Sequence, residues 1–113
     1  MREIKFRIWD NTPVKDGFPG LMIDMGYAMA SAYLIDALNR KYPIMQCTGL
    51  RDKHNHLIYE GDIVDHYNCR YVIQWNEKIG CWENFDNVGG ELLSNGAANF
   101  VVIGNIYENP ELL

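Results

Sequence analysis

Beyond Pro43 the chain divides into short apolar runs at 44–47, 57–59, 63–66, 71–75, 81–85 and 100–107, parted by polar or glycine-bearing turns. Runs of this length are strands rather than helices, and turns spaced about 8–12 residues apart predict an all-β arrangement. Short strands must also dispose of their unpaired edges, which a closed sheet does most completely. The expectation is a small SH3-like or partly closed β-barrel.

The N-terminal stretch supports the same reading. Over 3–9 the period is two, with Ile4, Phe6 and Ile8 on one face and Glu3, Lys5, Arg7 and Trp9 on the other. Two prolines and two glycines make 10–20 a loop. One helix is expected, inserted near 28–40, where Ala, Met and Leu dominate and Ser31, Leu34 and Leu38 follow helical spacing. Its few polar positions, Asp36, Asn39, Arg40 and Lys41, gather near its end, so most of its circumference needs cover, and a contact between subunits or packing as an ordinary core helix would supply it. The fold class is therefore mainly β (α+β). The segment 86–99, with three glycines and three asparagines, is expected to be a loop with at most a short helical turn. Ile4, Phe6, Ile8, Val72, Val102 and Ile106 are expected to face the core.

A chain of 113 residues is large enough for one domain, residues 1–113, with its own apolar core. Fifteen acidic against ten basic residues give a net charge of −5, which opposes passive binding to a phosphate backbone. Cys47, Cys69 and Cys81 stand 22 and 12 positions apart, without the close pairs of zinc or redox motifs, and read as reduced, mostly buried thiols. The first ten residues lack the apolar core of a secretory signal, and no apolar run reaches the ~20 residues of a membrane-spanning helix. A cytoplasmic protein, without membrane attachment, is expected.

The densest chemistry lies in "TGLRDKHNHLIYEGDIV", 48–64. Between Leu50 and Leu57, "RDKHNH" reads as a hairpin loop with Asn55 at its left-handed tip. His54 and His56 could share one face and chelate a metal, but the further candidates, Asp52, His66 and Cys69, stand at no metal-binding spacing, so no metal is expected. Glu60 and Asp62 flank Gly61 as a turn glycine with a capping acid; no nucleophile, histidine base or phosphate loop accompanies them, so neither catalysis nor a cofactor is expected. Lys5, Arg7 and Trp9 project together from the first strand, with Asp10 following, and form the candidate binding face.

"IKFRIWD", "IMQCTGLRDKHNHLIYEGDIV" and "VIGNIYENPELL" together resemble the YopX family of small proteins encoded by phages and prophages. Among the positions matching its motifs are Asp52, Glu60, Asp62, Asn105 and Tyr107, beside Arg7, Trp9 and Asp10. The resemblance implies a phage-related, β-rich, cytoplasmic protein that self-associates, and it implies no reaction. The expected function is a non-enzymatic binding or adaptor protein acting on a host or phage macromolecule, as a homo-oligomer. Two alternatives stand beside it: a nucleic-acid-binding β-barrel, disfavoured by net charge, and a protein that sequesters a small ligand such as a nucleotide.

Overall fold

A computed structural model describes residues 5–11, 20–26, 38–85, 90–92 and 96–113. Among them are nine strands: β1 (Phe6–Asp10), β2 (Leu21–Gly26), β3 (Ile44–Arg51), β4 (Leu57–Tyr59), β5 (Asp62–His66), β6 (Cys69–Asn76), β7 (Cys81–Phe85), β8 (Gly90–Leu92) and β9 (Val101–Asn105). Two 3-10 turns, Ala97–Asn99 and Pro110–Leu112, follow β8 and β9. The protein is mainly β, and the strands form two sheets, of four and five members. The strand orders are β2-β1-β3-β4 and β8-β7-β6-β5-β9, so of the expected SH3-like or partly closed barrel the structure shows the mainly β character, laid out as two sheets. The expected helix near 28–40 lies outside the described residues except at its end, where 38 and 39 are helical. Two compact units divide the chain, Met1–Cys47 and Thr48–Leu113.

In the first unit β1 pairs antiparallel with β2, Trp9 opposite Met22, and with the start of β3, Arg7 opposite Met45. Ile8 and Trp9 are adjacent in sequence and both buried, and Met45 and Cys47 of β3 are buried as well. Neighbouring residues of a strand point to opposite faces, so this end of β1 is covered on both sides rather than on the Ile8 side alone. Ile4 lies outside the described residues.

The second unit carries the sheet β8-β7-β6-β5-β9, antiparallel throughout, and the β3–β4 hairpin. Its core gathers Ile58, Val64, Ile73, Ala97 and Phe100, with Leu50, Tyr71, Trp82 and Val102 packed against them. The phase of β6 therefore differs from expectation: Ile73 enters this cluster, while Val72 sits opposite Ile63 and Phe85 on the other face. Ile106 is half-buried in the turn just after β9. The thiols also differ, for only Cys47 is buried, while Cys81 is half-buried and Cys69 exposed.

Candidate functional site

The acids and amides singled out in the sequence fall into two groups within the second unit. In the first, "YEGD" and "GNIYEN" meet, because Asp62 pairs with Asn105 across β5 and β9. Gly61 has a φ of 83°, a conformation that favours glycine. Its N–H donates to the Ile73 carbonyl (2.8 Å) and its carbonyl accepts from the Ile106 N–H (2.9 Å). Buried Asp62 accepts the Tyr59 N–H at Oδ2 (2.8 Å). Asn105 Oδ1 accepts the N–H groups of Tyr107 (3.0 Å) and Glu108 (2.8 Å), and its Nδ2 donates to Glu108 Oε1 (3.0 Å). The Tyr107 ring lies over Gly61. Asp62 thus serves the turn between β4 and β5 and Asn105 the turn that follows β9, and Glu60 rides on the first of them.

The second group is the loop between β3 and β4, which Asp52 organises. Its Oδ1 accepts the N–H groups of His54 (2.9 Å) and His56 (2.8 Å), and its Oδ2 that of Val102 (3.0 Å) at the start of β9. Burial pushes this carboxyl up, but the three backbone donors and the His56 imidazole, 3.8 Å away, outweigh it and hold the pKa below its ordinary value. Asn55 takes the left-handed conformation at the tip, with φ 66°. The Lys53 N–H donates to the Phe100 carbonyl (2.8 Å), tying the loop to the 3-10 turn Ala97–Asn99. His54 and His56 are exposed, their ring centroids 6.4 Å apart. Among the described residues no three His, Cys, Asp or Glu side chains cluster as metal ligands.

A third loop, between β5 and β6, completes this end of the unit. His66 and Cys69 are paired, leaving Tyr67 and Asn68 as a two-residue connection with φ values of 52° and 63°. Two central residues at positive φ are the signature of a type I′ hairpin turn, normally filled by Asn-Gly. A tyrosine at the first of them is a backbone outlier. The residue is 88% exposed, and its ring touches only the His66 ring among its described aromatic neighbours, at 4.4 Å between centroids. His66 in turn packs edge-on against buried Phe100 (5.3 Å), which stacks with Tyr71 (5.9 Å). Between the three loops lies an open cleft of about 320 Å³, with Ala98 and Val101 among its apolar lining and Lys53, Asp65, His66, Tyr67 and Asn99 supplying its polar groups.

The structure does not assemble the face expected on β1. Trp9 is 6% exposed, and a Cβ on Gly20 would stand 2.7 Å from its ring, so it is a core residue and no stacking platform. Arg7 is half-buried, its Nε donating to Met45 Sδ (3.4 Å), and Lys5 and Asp10 are half-buried beside it. Sequence reasoning placed Asp52 in the right loop but missed Tyr67, Asn99 and the cleft. One signal was available: the close approach of runs 63–66 and 71–75 leaves room only for a tight turn, and its residues are Tyr and Asn rather than Asn and Gly.

A family model described as YopX protein matches residues 23–113. The crystal structure of protein EF1440 from Enterococcus faecalis is similar, with 27% identity, 97% of each chain covered and a TM-score of 0.53. No curated protein matches the chain. No helix among the described residues is long and apolar enough to cross a membrane.

Proposed function

The chain belongs to the YopX family, and from that premise we propose a non-enzymatic binding or adaptor protein that engages a host or phage macromolecule through the loop end of its second unit. Family membership suggests a phage or prophage protein. The observation that carries the proposal is Tyr67, held at positive φ and almost wholly in solvent beside the cleft. A bulky residue in this conformation costs backbone energy, and strain of this kind gathers at functional sites. An exposed, rigidly presented tyrosine is also a common anchor of binding surfaces. A cytoplasmic homo-oligomer is part of the reading, the self-association being supported by the apolar composition of residues 28–40.

Capture from extracts of phage-infected cells, with the full chain immobilised and the native mass of the recovered complex determined, tests both parts. Tyr67→Asn should lower capture at least tenfold while the fold is retained. Equal capture by the two proteins would end the proposal for this surface, and a monomeric native mass would end the oligomer.

A further inference from the structure

The cleft has a composition that narrows what it takes. Its polar groups are one cation, Lys53, one amide, Asn99, the Tyr67 hydroxyl, the His66 imidazole and one acid, Asp65. Among the described residues the side chains of Lys53 and Asn99 have no hydrogen-bond or ion-pair partner, and the Tyr67 ring meets only His66. Asp65 is partly committed, its Oδ1 accepting the Asn68 N–H of the turn (3.2 Å). An exposed aromatic plane calls for a planar partner, an unpaired ammonium for an anion, and an unpaired amide for a group that both donates and accepts. A volume of about 320 Å³ is at the small end of ligand sites, enough for one such unit.

We propose that this cleft binds a single nucleotide unit, its base stacked on Tyr67 with an edge toward Asn99 and its phosphate on Lys53. The inference rests on the loop end being the recognition surface and specifies the chemistry recognised there. A net charge of −5 fits this arrangement better than a groove that follows a long backbone, because only one phosphate need be neutralised. Phosphodiesters beyond that one meet an acidic chain. The same chemistry has two sources, a free mononucleotide and a residue within a single strand.

Titration of the full chain with a labelled twelve-residue oligothymidylate, and competition by thymidine monophosphate, separates them. Saturable binding is expected for the strand, with a salt slope of about −0.7, the value for one phosphate on a single strand. Tyr67→Asn should weaken binding roughly 5- to 150-fold, the loss of one base–aromatic stack, and Tyr67→Phe should retain it. Lys53→Gln should flatten the salt slope, and Asp65→Asn, which keeps an acceptor for Asn68 but removes a charge, should tighten binding. Equal competition per nucleotide by the monophosphate assigns the free ligand, and poor competition assigns the strand; either supports the site. No saturation by either probe below millimolar concentration overturns the inference, and so does binding indifferent to Tyr67→Asn and Lys53→Gln. If neither probe binds while Tyr67→Asn still abolishes capture from infected-cell extract, the nucleotide fails and the recognition surface stands.

Discussion

Two neighbouring loops of the second unit obey opposite rules. The β3–β4 loop follows local chemistry throughout: an aspartate collects the backbone donors and an asparagine takes the left-handed tip. The β5–β6 turn puts a tyrosine at a left-handed position and leaves its ring in water. Agreement between local preference and fold marks a structural loop, and disagreement without a packing gain marks a place where something other than stability is served. The motif acids belong to the first kind, and the chemistry available to a partner belongs to the second.

The largest break in this contrast is expected at Asp52. Asp52→Ala strips the acceptor from three backbone N–H groups while the loop stays partly buried, and should cost about 3 kcal/mol or more in a denaturant melt. A cost below about 1 kcal/mol would mean that water satisfies those donors and that the loop needs no organiser. The same carboxylate gives the fold an acid limit. Glu83 shares in it, since the amides of Asn76 and Gln74 hold its carboxyl below the ordinary 4.5, as the surroundings of Asp52 hold that group below 3.8. Both folded-state values are depressed, so their stabilisation is complete above these ordinary values and is lost as pH falls below them toward the folded-state pKa values. Melting temperature should decline across that acid range, and less steeply in Asp52→Asn.

What the sequence disclosed follows from where local chemistry is self-sufficient. Strands 57–59 and 81–85 were legible to the residue, and the Asn55 tip and the capping role of Asp62 were readable from residue type. β2 was not, because Leu-Met-Ile-Asp-Met-Gly lacks a clean alternation, and its strand state is set by pairing with β1. β8 hides in a glycine- and asparagine-rich stretch and exists through its ladder to β7. Periodicity placed Trp9 with Lys5 and Arg7 correctly by parity, yet could not show that both sides of β1 are covered there. The cleft was hidden for a similar reason: its lining comes from three loops whose convergence depends on contacts such as Lys53 N–H to Phe100 carbonyl.

The second break relieves the strained turn. Tyr67→Asn substitutes a residue that accepts positive φ and should stabilise the unit by about 0.5 kcal/mol, the relief being partly offset by loss of the ring contact with His66. A combined Tyr67→Asn and Asn68→Gly variant, carrying the preferred type I′ pair, should melt at or above the parent temperature. Destabilisation of either variant by more than about 1 kcal/mol would show that the tyrosine is a packing residue, and the contrast between the loops would dissolve.

The smallest effect is expected where the sequence looked richest, at His54 and His56. Both contribute to the loop through backbone N–H groups donated to Asp52, which a side-chain substitution leaves in place. The imidazole of His56 is 71% exposed and its Nδ1 stands 3.8 Å from Oδ2 of buried Asp52, so solvent around the ring screens an attraction worth about 1 kcal/mol or less. Replacing both by Ala should therefore leave stability at pH 8 within about 0.5 kcal/mol of the parent, the range for exposed loop positions. The double variant should also keep most of the acid limb that Asp52 and Glu83 impose, since the backbone N–H groups donated to Asp52 and the amides donated to Glu83 stay in place and only the His56 attraction is lost. A loss above about 1.5 kcal/mol, or a zinc-dependent melting temperature that vanishes with the histidines, would move this loop from the structural side of the comparison to the functional one.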